Sequence, residues 1–262
     1  MSIAALVLGG VALVYRPAAR AAVSPRSQAI LGAAGLALAV HFAAWIASLQ
    51  YTSVAVSTLL VATTPIFTAA YDAVVLKRTL SPLAAGAFLL GGAGTWLVVG
   101  FNHVAPPVAG HALAGAALAL VGAIAIAAYF VLVREVRGAL DTRAIVTRTY
   151  AWAAAALVVA ALAAHQPLPA FNDLHAWGGV VAMALISQLL GHTALNASLR
   201  WFTPSAVSFS SLVEPAIAAA LAFALFGERL APAAIAGGVV VLVAIGIVLR
   251  EEPAPEVVEE IL

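Results

Sequence analysis

The chain has 262 residues, 64% of them hydrophobic and only 9% charged, with a mean hydropathy of +1.09. That balance excludes a water-exposed globule, which needs a charged surface. The absence of cysteine excludes disulfides, thiolate metal sites and cysteine nucleophiles. A net charge of +1 without any basic run excludes nucleic acid as a partner.

Long apolar stretches follow one another at 2–15, 29–49, 54–76, 82–100, 112–133, 149–164, 176–199, 204–226 and 232–249. A helix needs about 20 residues to cross a hydrocarbon core of ~30 Å, and seven of the nine approach or exceed that. The stretches at 2–15 and 149–164 are short, and read as tilted helices or as helices with their ends cut off. None shows the alternation of a membrane β-strand. The first has no cation ahead of its apolar run and is followed by further spans, so it reads as a span and not a signal peptide. The prediction is an all-α polytopic protein whose environment is the lipid bilayer.

Threading nine spans through a membrane distributes the cations unevenly. Arg16, Arg20, Arg26, Lys77, Arg78, Arg134, Arg137, Arg143, Arg148, Arg200 and Arg250 fall on one side, and only Arg229 on the other. Orientation follows such a bias, so the first side is cytoplasmic, with the C-terminus inside and the N-terminus outside.

The chain also repeats itself at an offset of 150. AAWIASLQYTSVAVSTLLVATTP (43–65) falls on TALNASLRWFTPSAVSFSSLVEP (193–215), with Pro65 on Pro215, Leu80 on Leu230 and Pro82 on Pro232. Intramembrane prolines remove a backbone hydrogen bond, which makes their recurrence more telling than matches of Ala or Leu. The same offset lays 149–164 on 2–15, and leaves 112–133 without a counterpart. The first repeat thus has four helices and the second five, with a further N-terminal helix expected in the natural gene or lost from this product. An odd number per complete repeat makes the two inverted, an arrangement found in secondary transporters.

HFAAWIASLQYTSVAVSTLLVATTPIF and SQLLGHTALNASLRWFTPSAVSFSSLVEPAIAAALAFALFGERL resemble the two EamA domains of the drug/metabolite transporter superfamily. The second matches better, through its Glu-Pro and the closing Gly-Glu-Arg-Leu at 227–230. In the first, Lys77-Arg78 stands where an acidic residue often ends the fourth helix. The resemblance implies a first EamA repeat at 1–100, an extracytoplasmic linker at 101–111, a second repeat at 112–250 and an acidic tail at 251–262. It implies a multi-pass protein of a bacterial inner membrane that exports small molecules such as amino acids or metabolites. The family typically has ten helices, so the missing first one is a departure. No cofactor or metal is indicated, and the oligomeric state is open, a homodimer included.

Polar side chains within spans mark the expected pathway, because each is costly in hydrocarbon. Glu214 lies about ten residues, or ~15 Å, from the cytoplasmic end of its helix, near the midplane. Pro215 is expected to kink the helix there, as Pro65 does in the first repeat. Such a carboxyl either cycles a proton with substrate binding or fixes helix packing. Gln188, His192 and Asn196 recur every four residues as one stripe, with His192 ~12 Å deep. The stripe lines a polar pathway or forms a hydrogen-bonded seam. His41, Trp45 and Ser48 share a face in the first repeat. Thr64 occupies the place of Glu214, making the repeats chemically asymmetric. Trp45 either stacks on a ligand or packs. Asp72, one turn from Lys77, is expected to pair with that basic end. His103, His111, His165 and His175 read as solvated loop residues, and Gly91, Gly92, Gly94, Gly237 and Gly238 as points of close helix packing.

Rival readings are an intramembrane enzyme, a channel and a structural membrane subunit. Neither HExxH nor GxSxG occurs, and no phosphate-holding cluster or carbonyl-filter motif is visible. No catalytic residue is assigned.

Overall fold

The computed structural model describes residues 1–14, 23–52, 54–75, 77, 79, 81–100, 111–166, 169–226 and 232–251. Arg16, Arg20, Arg78, Leu80, His103, most of the 101–111 linker, the 227–230 motif and the tail beyond Glu251 lie outside the described residues.

The described residues form helices α1 (Ser2–Val14), α2 (Pro25–Ser48), α3 (Val54–Val61), α4 (Thr64–Val74), α5 (Pro82–Gly100), α6 (Ala112–Val136) and α7 (Thr142–Ala163). There follow α8 (Leu174–Ala182), a π-helical segment (Met183–His192) and α9 (Thr193–Ser198). The chain continues through α10 (Pro204–Ser210), a 3-10 turn (Ser211–Val213), α11 (Glu214–Phe226) and α12 (Pro232–Glu251). Joined where they run on without a loop, these make nine helical segments among the described residues. Five are long and apolar enough to cross a membrane: Pro25–Ser48, Leu113–Val136, Thr142–Ala163, Leu174–Ser198 and Pro232–Glu251.

Several helix starts follow from a Ser-Pro or Thr-Pro pair. The hydroxyls of Ser24, Ser81 and Thr203 accept from the backbone N–H of Ser27, Ala84 and Ala206 at 3.1, 3.0 and 3.2 Å. The proline that follows has no N–H to leave unsatisfied. The carboxylates of Asp141 and Asp173 accept from Ala144 and Ala176 in the same way. The Asp141 cap corrects one expectation. The sixth span begins at Thr142 and not at 149, because Arg143 and Arg148 lie within the first turns of α7. Arg148 donates to the carbonyl oxygen of Ala144 one turn back, and Arg143 to that of Val11 at the end of α1. Charges that look like a loop in the sequence are thus spent on helix backbone.

The chain divides into two compact units, Met1–Val40 with Ala128–Arg200, and His41–Ala127 with Trp201–Leu262. The first unit buries Leu31, Leu38, Tyr129, Phe130, Val133, Ile145, Val146, Tyr150 and Leu199. A Cβ on Gly35 would collide with Trp152 Cβ and lie 2.7 Å from the carbonyl oxygen of Thr149, so α2 meets α7 backbone to backbone. In the second unit, Ala87, Ala206, Phe209, Leu212, Val241, Ala244 and Val248 form the core. There α5 and α12 pair along their length. A Cβ on Gly94 would sit 2.9 Å from the Gly237 carbonyl oxygen, a distance no side chain tolerates. Gly92 faces open space and takes no part in this packing, unlike its expected role.

Element starts recur at the offset seen in the sequence. Thr64 and Glu214 begin α4 and α11, and Pro82 and Pro232 begin α5 and α12.

Candidate functional site

In the first unit the polar stripe sits on an unusual stretch of helix. The ten residues Met183–His192 are π-helical, a form that appears mostly as single-turn insertions and is frequent at functional sites. Gln188 and Asn196 are buried and His192 is half-buried. The three do not form an unengaged wall. The Tyr129 hydroxyl donates to Asn196 Oδ1 at 2.9 Å, and Asn196 Nδ2 donates to the His192 carbonyl oxygen at 2.7 Å. Asn196 thereby ties its helix to α6. The Tyr150 hydroxyl lies 3.3 Å from both the Gln188 carbonyl oxygen and Thr193 Oγ1. Gln188 Nε2 is buried without a hydrogen-bond partner. In a bilayer such a donor has no water to turn to, which leaves it available to a ligand. The two tyrosines are fully buried, and nothing in their spacing marks their hydroxyls as partners of the stripe.

In the second unit, His41 Nδ1 donates to the Gly122 carbonyl oxygen at 2.9 Å, which fixes the proton on that nitrogen. Its ring stacks on Trp45 at 6.1 Å and 10°. Trp45 Nε1 is buried without a hydrogen-bond partner. Ser48 donates to the Trp45 carbonyl oxygen, and its oxygen lies 2.6 Å from that of Ser57, joining α2 to α3.

Both helices that carry an internal proline are interrupted there. Pro65 cannot donate to the carbonyl of Val61, and α3 ends at that residue. Thr64 Oγ1 donates to Val61 O at 2.6 Å, and Thr63 Oγ1 to Leu60 O at 2.6 Å. Before Pro215 the chain tightens into the 3-10 turn. The Ser210 and Ser211 hydroxyls donate to Val207 O and Ser208 O, both at 2.7 Å. At Pro65 a side-chain hydroxyl thus serves the carbonyl that the proline strips of its partner, while at Pro215 the stripped carbonyl, Ser211 O, accepts from the Glu214 backbone N–H in the 3-10 turn. Glu214 is exposed at the start of α11, and Pro215 behind it is buried.

For Asp72, expected to pair with the basic end, the structure shows a contact with α10. The side chain is buried, and its Oδ2 accepts from the Ser205 hydroxyl of α10. One turn earlier, Thr68 Oγ1 lies 2.7 Å from Ser208 Oγ. The sequence analysis assigned nothing to Thr68, Ser205 or Ser208; the signal was a pair of small hydroxyls one turn apart after Thr203-Pro204.

The model of the EamA-like transporter family matches residues 1–100 and again 113–250. No curated protein sequence matches the chain. Among solved structures, one titled "Crystal structure of protein" superposes with a TM-score of 0.75 at 16% identity, covering 94% of this chain and 83% of that one. That likeness concerns the fold. The two family matches together span most of the chain, and the protein is a multi-pass membrane protein that belongs to the EamA-like transporter family.

Proposed function

We propose that the chain is a secondary transporter that exports small metabolites or amino acids by alternating access. The working parts are two inverted repeats, 1–100 and 112–250, joined by the 101–111 linker. The observation that carries this reading is Glu214, an acidic side chain left accessible at a helix break inside an apolar span. A carboxyl at this depth is costly as an ion, the setting in which a carrier exchanges a proton with substrate binding. Gln188 Nε2 and Trp45 Nε1, both buried without partners, are the donors available to a polar substrate. Asn196, His41 and Thr64 hold helices in register through the bonds described above, and His192 supports Asn196 through its carbonyl. In this reading Pro65 and Pro215 supply the hinges.

In this reading the membrane is a bacterial inner membrane and the C-terminus is cytoplasmic, an orientation supported by the eleven cations on one side. Proteoliposomes loaded in turn with amino acids and small metabolites test the function. Downhill flux of at least one class above protein-free liposomes is expected. Absence of flux for every class, in protein that elutes as a single folded species, would contradict transport.

A further inference from the structure

We propose that α4 and α10 carry a one-sided latch, Asp72 with Ser205 and Thr68 with Ser208, that closes the transport pathway at its cytoplasmic end. The inference rests on the alternating-access reading above.

Thr68 and Asp72 are four residues apart on α4 and share a face, as do Ser205 and Ser208, three apart on α10. The pairs run in opposite order, 72 with 205 and 68 with 208, so the two helices zip together antiparallel. All four side chains are buried, and Thr68 and Ser208 have no exposed surface at all. Lys77 follows α4 and Arg200 precedes α10, which places these ends on the cation-rich side.

The repeat makes the arrangement informative. At the offset of 150, Asp72, Thr68, Ser205 and Ser208 correspond to Ala222, Ala218, Ala55 and Thr58. The opposite ends of the same two broken helices therefore have one hydroxyl where the latch has three hydroxyls and a carboxylate. A carrier built from inverted repeats has two closed states, and a hydrogen-bonded closure on one side alone biases the resting population towards that state. Loss of one hydrogen bond to a charged group shifts such an equilibrium by about tenfold. The breaks at Pro65 and Pro215 lie between the two ends, where a change of angle would open one as it shuts the other.

The absence of cysteine makes cross-linking unambiguous. Two double variants are compared, Thr68→Cys with Ser208→Cys at the latch and Thr58→Cys with Ala218→Cys at the opposite ends. Each is oxidised in proteoliposomes with copper phenanthroline, with and without Ser205→Ala. The latch pair is expected to cross-link faster in the parent background. Ser205→Ala should slow it about tenfold while accelerating the opposite pair. A packing role alone would slow one pair without accelerating the other. That outcome, or equal rates for all four proteins, overturns the latch. Should Ser205→Ala not fold, Asp72→Asn is the second variant, with a smaller shift of the same reciprocal kind required. The readout needs no substrate, so a failed latch is distinguishable from a failed transport reading, which the flux assay decides separately.

Discussion

The two proline-broken helices solve one backbone problem with different chemistry. At Thr63-Thr64-Pro65 the hydroxyl beside the proline is turned back onto Val61 O, so the break is sealed from within. At Val213-Glu214-Pro215 the stripped carbonyl, Ser211 O, accepts from the Glu214 backbone N–H in a 3-10 turn, and the side chain beside the proline is left over. That residue is a carboxylic acid. The comparison teaches that serving the stripped carbonyl with backbone, by tightening one turn to 3-10, releases the side chain beside the proline, at the midpoint of the span, from capping duty. The first repeat keeps the geometry of the break and spends the position on structure.

The most severe way to break this comparison is to exchange the two residues. A Thr64→Glu, Glu214→Thr double variant should lose flux to the level of empty liposomes. It puts a carboxyl where Val61 O needs a donor, and removes one from the accessible break. Flux that persists would make the two positions interchangeable and the asymmetry incidental.

Thr64→Val tests the sealing role alone. It leaves Val61 O with neither an N–H nor a hydroxyl, at a cost of about 1–2 kcal/mol. The thermal midpoint in detergent should fall while flux survives. An unchanged midpoint would show that the hydroxyl is not needed there.

A third test concerns the stripe of the first unit, where structure and pathway can be separated. Asn196→Leu breaks the bonds to Tyr129 and to the His192 carbonyl, and should destabilise by about 1 kcal/mol. Tyr129→Phe should cost less, and the two effects should not add, because they remove the same bond. Gln188→Leu removes an Nε2 that has no partner to lose, together with the side-chain hydrogen bond to Tyr150. Its stability should fall by less than that of Asn196→Leu, and a fall in flux out of proportion to that loss then belongs to ligand contact. Destabilisation by Gln188→Leu as large as that of Asn196→Leu would return Gln188 to the seam.

The sequence shows some of this plainly and hides the rest for physical reasons. Pro82 and Pro232 give the starts of α5 and α12 because proline has few other places in a helix. Pro65 and Pro215 mark the interruptions for the same reason. The start of α7 was missed because Arg143 and Arg148 read as loop cations, while their long side chains reach carbonyls at helix ends. The π-helical segment leaves no mark, since it contains no proline and its residues would suit an α-helix. Tyr129 and Tyr150 look like apolar filler until their hydroxyls are seen to meet Asn196, Gln188 and Thr193. The dual nature of the stripe, part seam and part unpartnered, could not be read from spacing. Spacing gives a shared face and says nothing of what occupies the facing helix.

Substrate-driven proton movement tests the central claim most directly. A pH-sensitive dye inside proteoliposomes would report proton flux on addition of whichever amino acid or metabolite the screen identifies, for the parent chain and for Glu214→Gln. The account predicts proton movement with the parent, and none with the variant while uncoupled substrate exchange persists. Equal proton movement in both would contradict the assignment of Glu214 as the coupling group.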